Sequence, residues 1–358
     1  MEGYTTMKRI LAVLLSVSVL SSLAGCGCQR EDPEPQPPGT PAGTEFSVGM
    51  VTDIGGVNDQ SFNQSAWEGL NRAKETFDCR IGYLESKQEA DYGPNLDKMA
   101  DEEYDLVWGI GFMMADAIEN AARQNPAGMY AIVDNAYAET PDNVISVVFR
   151  AQEPSFLVGY IAGRMTQTGK VGFIGGMKSG TIDQFDYGFQ GGVQWAAKEL
   201  GKDITVEVQY AESFSDTAKG KSIAQKMISG GCDIVFHAAG NAGNGVIEAA
   251  KEAGKYAIGV DRDQSYLAPD TVITSAMKLV GDAMYLVTER VKNGESLGGQ
   301  TLAFGIKEKC AGISSASDKL VPADILEATG RIEQMIVNEE IVPPYDEETY
   351  RAYLETLQ

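Results

Sequence analysis

Residues Val51 to Leu70, VTDIGGVNDQSFNQSAWEGL, bring Asp53, Phe62 and Asn63 together where the strand-like run FSVGM gives way to the helical pattern NRAKETF. An aromatic face beside an amide can stack a flat ring and hydrogen-bond its edge. Ser61 stands just before this pair and is the expected N-cap of the helix. Plainer roles remain open at this point: Phe62 as a core or staple residue, Asp53 as the cap of its own loop. The remaining candidates for chemistry are weaker. Gly240, Gly243 and Gly245 in AAGNAGNG are spaced GxxGxG rather than GxGxxG, and the next strand ends at Asp261, sixteen residues after Gly245. A glycine turn that admits a ligand or a helix is therefore expected there, not a dinucleotide fingerprint. No GxxxxGK[ST], HExxH or GxSxG occurs, and the single histidine, His237, lies inside the strand-like DIVFHAA without a serine partner. Hydrolysis by the usual triads is not expected. Cys28, Cys79, Cys232 and Cys310 show no CxxC spacing, so neither a metal nor a cofactor is expected, and their disulfide state is open.

The elements that must position these residues alternate from Phe46 onward. Ten short apolar runs read as strands, from FSVGMVTD through RIGYLE, YDLVWGIG, YAIVD, NVISVVF, KVGFIGG, ITVEVQYA, CDIVFHAA and YAIGVD to VITSAM. Amphipathic stretches lie between most of them. This alternation predicts an α/β fold with parallel sheets covered on both faces. One β-α series ends near Phe149 and a second runs from Lys170 to Asp261, so two Rossmann-like lobes joined by a hinge are expected. Asp53, Asp134 and Asp261 each close a strand, the position at which open α/β sheets bind ligands. The expected division is lobe 1 over 46–150, with a segment around 262–300 crossing back to it, and lobe 2 over 151–261, with residues 301–358 packing on the lobes.

At 358 residues the chain exceeds what a single core usually serves, consistent with two lobes. Its formal net charge of −22 argues against nucleic acid or anionic lipid as a charge-driven partner. Lys8 and Arg9 precede ILAVLLSVSVLSSL, an apolar segment too short to span a bilayer but suited to export. LAGC, ending at Cys26, resembles the bacterial lipobox, which implies a signal peptide over 1–25 and a diacylglyceryl group on Cys26. Met1 and Met7 are both open as the start. QREDPEPQPPGTPAGT, Gln29 to Thr44, holds five prolines in sixteen residues and reads as an extended tether, part of the lipid-anchored segment 26–45. The expected location is the extracytoplasmic face of a membrane, held by lipid alone.

VTDIGGVNDQSFNQSAWEGL, FSDTAKGKSIAQKM, GNGVIEAAKEAG and IGVDRDQ, in this order, resemble the basic membrane protein family. These are lipoprotein receptors of ABC importers, and the resemblance runs from Phe46 to about Val342. It implies the type I periplasmic-binding-protein fold, a purine nucleoside as ligand, a membrane permease as partner, a monomeric state and no catalysis. Carried onto this sequence, it implies that Phe62 and Phe185 sandwich the base, while Asn63 and Asp134 bond its edge. Asp53, Asp261 and Lys278 would hold the ribose, and Gly240 would let backbone approach the sugar. Asp116 is left to face either cleft or solvent. A receptor for a sugar or another small polar metabolite, a nucleoside hydrolase, and a surface adhesin or immune-facing lipoprotein are the rival readings.

Overall fold

The structure, a computed structural model, describes residues 45–357; the expected signal peptide, Cys26, Cys28 and the proline-rich tether lie outside these residues. From the amino end run β1 (Ser47–Thr52), α1 (Phe62–Phe77), β2 (Arg80–Leu84), α2 (Tyr92–Asp101), β3 (Leu106–Ile110), α3 (Ala115–Gln124), β4 (Tyr130–Val133) and β5 (Val144–Phe149). Then come α4 (Gln152–Met165), β6 (Lys170–Gly175), α5 (Gly180–Leu200), β7 (Thr205–Tyr210), α6 (Thr217–Ser229), β8 (Ile234–Ala238), α7 (Ala242–Glu252) and β9 (Tyr256–Asp261). The chain closes with β10 (Val272–Lys278), α8 (Val280–Lys292), β11 (Thr301–Phe304), β12 (Ala311–Ile313), α9 (Ala323–Val337) and α10 (Glu347–Thr356).

Two six-stranded sheets form. The first has the order β11-β5-β4-β3-β1-β2 and is parallel throughout; the second has the order β12-β10-β9-β8-β6-β7, with only β12 antiparallel. Near-continuous apolar strands make this possible, because helices cover both faces of each sheet. In β3, Leu106, Trp108 and Ile110 are fully buried, as are Val235 and Phe236 in β8. This is the two-lobed type I periplasmic-binding-protein fold.

The two lobes repeat one plan. β1, α1, β3 and β4 of the first correspond by sheet position and order to β6, α5, β8 and β9 of the second. In each lobe the strand order reverses beside the first strand of the series, β1 or β6. That reversal opens a crevice at the strand carboxyl ends.

The chain passes between the lobes three times, after Phe149, after Lys278 and between Phe304 and Ala311. The return segment therefore differs from the expected 262–300. β10 stays in the second lobe because it pairs with β9 in parallel, and only α8 and β11 cross back, α8 packing on α1 and β11 on β5. At the α1–α8 contact a Cβ on Gly69 would stand 2.2 Å from the Gly281 carbonyl, so the backbones themselves touch. α9 packs on α4 and α10 on α5, all within the second lobe. No described helix is long and apolar enough to cross a membrane.

Candidate ligand-binding site

Asp53 follows β1, Asp134 follows β4 and Asp261 ends β9, so all three stand at carboxyl ends of strands. Asp134 and Asp261 hold equivalent places in the two lobes, and both take the left-handed backbone, with φ of 64° and 63°. Aspartate tolerates that region better than most residues, and strain of this sort gathers where a side chain must be aimed. Phe62 is the first residue of α1 and Phe185 lies in the second turn of α5, the equivalent helix. Together with Asn63, Gly240 and Lys278, these residues line one cavity between the lobes. All eight residues named from the sequence thus meet in one place. Asp116 is exposed and does not line the cavity.

The polar groups fall into two clusters. In the first, Asn63 Nδ2 donates to Asp53 Oδ1 at 2.8 Å and to Asp59 Oδ2 at 3.1 Å. Asp53 Oδ1 also accepts from the Gly55 amide at 2.9 Å. Burial pushes Asp53 up to about 6, against the pull of those two hydrogen bonds and with help from the charges of Asp59 and Asp134. Asp59 is raised too, again through burial.

In the second cluster Lys278 Nζ lies 2.5 Å from Asp134 Oδ2 and 3.8 Å from Asp261 Oδ1, with all three side chains nearly covered. The ammonium therefore joins a first-lobe carboxylate to a second-lobe one. Burial raises Asp261 to about 6 even though Lys278 and the Ser61 hydroxyl oppose it. Lys278 Nζ also stands 4.5 Å from the Phe62 ring centroid and 5.6 Å from that of Phe185. The second cluster, in other words, sits against both aromatic rings.

Several residues escaped the sequence reading. Asp59, not Ser61, caps α1: its carboxylate accepts from the amides of Ser61, Asn63 and Gln64 at 2.9, 2.8 and 3.1 Å. The Ser61 hydroxyl donates to Asp261 in the other lobe instead. Phe112 and Phe214, one per lobe, line the cavity and meet edge to face with centroids 6.2 Å apart. The expected cap at Ser61 is thus corrected: a polar residue just ahead of the helix was legible in the sequence, but Asp59 takes the amides, from two positions earlier.

Further contacts tie the lobes together on the α1 side. Gln264 Nε2 donates to the Gln60 carbonyl at 3.0 Å, Tyr266 donates to the Gln60 side chain, and Arg262 pairs with Glu68 at 3.0 Å. His237 is elsewhere. It is fully buried, its imidazole is pushed down to about 4 by that burial, and it does not line the cavity. Cys79, Cys232 and Cys310 are buried free thiols.

Comparison with known proteins agrees with the two-lobed fold. Residues 46–347 match the model of the Bmp family, described as ABC transporter substrate-binding protein PnrA-like. The chain is 39% identical over 360 residues to the CD4+ T-cell-stimulating antigen of Listeria monocytogenes, covering 94% of this chain and 99% of the relative. It is 40% identical over 312 residues to basic membrane protein A of Borreliella afzelii, covering 86% and 94%. Among solved structures, an ABC transporter solute-binding protein from Aeropyrum pernix superposes with a TM-score of 0.79 at 29% identity, covering 87% of this chain and 97% of that one. The cleft between two like lobes and the family match over nearly the whole described body lead to one conclusion: this chain belongs to the Bmp family of PnrA-like ABC transporter substrate-binding proteins.

Proposed function

We propose that this protein is a lipid-anchored, monomeric receptor that captures a purine nucleoside between its lobes and hands it, chemically unchanged, to a membrane permease. The observation that carries the reading is the placement of Phe62 and Phe185, from opposite lobes, on one cavity beside the Lys278–Asp134–Asp261 cluster. Two rings on a narrow cleft suit a flat heterocycle, and stacking is worth roughly 1–3 kcal/mol per base. The pairing of side chains favours a division of labour different from the one expected from the resemblance. Asp53 is bonded to Asn63, so this pair reads the base edge; Asp134 is bonded to Lys278, so it joins Asp261 in gripping the ribose hydroxyls. Four carboxylates face one ammonium in the cavity, which disfavours a phosphorylated ligand.

Calorimetry with guanosine, inosine, adenosine, cytidine and GMP tests the reading. Purine nucleosides bind and GMP does not; tight GMP binding without a nucleoside signal overturns it. Incubation with inosine leaves no free hypoxanthine, whereas steady release of the base would make the protein a hydrolase. Mass spectrometry of gently purified protein is expected to reveal a co-purifying nucleoside and the lipid on Cys26.

A further inference from the structure

Asn63 is held in a way that fixes its chemical polarity. Both of its amide hydrogens are committed, one to Asp53 Oδ1 and one to Asp59 Oδ2. Its Oδ1 is buried and has no partner among the described residues, and the residue lines the cavity. Asp53 is held similarly. Oδ1 takes the donors from Gly55 and Asn63, while no described residue donates to Oδ2. That oxygen lies beside the cavity-lining Gly111, where an added Cβ would come within 3.1 Å of Asp53 Oδ2 and 3.5 Å of the Phe62 ring. Asp59 cannot turn to release Asn63, because three backbone amides of the α1 cap already hold its carboxylate.

We propose that Asp59 is a positioning residue that sets ligand polarity: by anchoring the Asn63 amide it leaves Asn63 Oδ1 and Asp53 Oδ2 as two acceptors, which select a ring edge bearing two adjacent N–H donors. The inference rests on the nucleoside reading and sharpens it. A 2-amino-6-oxopurine offers that edge through N1–H and its amino group. A 6-aminopurine presents an unprotonated N1, which sets acceptor against acceptor and leaves a buried group unpaired.

The test is a ligand series and one variant. For the unaltered protein, guanosine should bind at least about tenfold more tightly than adenosine, and 1-methylguanosine, which lacks the N1–H, should lose at least as much; inosine falls between. Asp59→Ser keeps a hydroxyl able to cap α1 but is too short to reach the Asn63 side chain. In that variant the guanosine-to-adenosine ratio should shrink several-fold. Equal binding of guanosine, adenosine and 1-methylguanosine by the unaltered protein overturns the proposal while leaving the nucleoside reading intact. An Asp59→Ser variant that weakens every ligand by one factor shows a purely structural Asp59 and also overturns it. Should no nucleoside bind the unaltered protein, the proposed function falls and this inference with it.

Discussion

Replacing Asp53 by asparagine should stabilise the empty receptor while impairing it as a binder. The carboxyl is raised from 3.8 to about 6, chiefly by burial. The unfolded chain ionises it near 3.8 and the folded chain only near 6, so folding opposes ionisation across that interval. The resulting penalty is absent below the lower value, grows as pH rises between the two and is complete above the upper one. A shift of this size corresponds to ~3 kcal/mol at neutral pH. Asparagine is nearly isosteric and can keep its oxygen where Oδ1 accepts from Gly55 and Asn63, placing its nitrogen on the side to which no described residue donates. Asp53→Asn should therefore raise the melting midpoint at pH 7.5 by about 6 °C, a gain that fades near pH 4. His237 acts with the opposite sign. Its imidazole is pushed down to about 4, so it costs stability as pH falls from about 6.5. The difference between variant and unaltered protein cancels that contribution. Thermal unfolding of both proteins across this pH range is the assay. Destabilisation at pH 7.5, or a gain of equal size at both ends of the range, would refute the reasoning. Guanosine binding should meanwhile weaken by about 1–3 kcal/mol, because the new amide opposes a donor with a donor.

Three other outcomes are expected. Phe62→Ala should cost roughly 1–3 kcal/mol of nucleoside affinity with little change in melting; Phe62 is only half-buried, whereas Phe185 belongs to the second-lobe core and its removal would confuse binding with folding. Lowering the pH through 6 should raise adenosine affinity relative to guanosine, since a protonated Asp53 can donate to the adenine N1; a ratio constant from pH 7.5 to 5 contradicts this. Glu68→Ala removes an interlobe pair with Arg262 in which the Glu68 carboxylate is half exposed and the arginine mostly covered, so stability should change by about 1 kcal/mol or less. Stopped-flow release should nevertheless quicken for every ligand by the same factor, and unequal factors would place Glu68 in ligand recognition instead.

The fold was legible because its signal is local. Each of the ten expected strands is a run of β-branched or aromatic residues and appears in a sheet, whereas β11 and β12 are only four and three residues long and carry little pattern. α5 begins at Gly180, well before the amphipathic FQGGVQWAAKEL suggests, because the Ser179 side chain caps it by accepting from Ile182. This places Phe185 inside the helix. Which sheet β10 would join could not be read, since β10 is equally apolar in either. The strand-ending aspartates could be seen in the sequence, but Phe185 and Lys278 came only through resemblance. Their pairing was hidden for a physical reason. Asp134 and Lys278 are separated by 144 residues and meet only when the lobes do.

Lys278 is the last residue of β10, and the chain leaves the second lobe at the next position, where the Leu279 amide donates to the Cys310 carbonyl of another crossing segment. With Lys278 holding the ligand as proposed, cargo grip and lobe crossing would be covalent neighbours. Under that role, word of an occupied cleft would not have to travel, because the side chain meeting the guest would belong to the crossing that joins the two jaws. Substitutions at the crossings should alter apparent affinity without meeting the ligand, simply by changing how often the jaws stand shut.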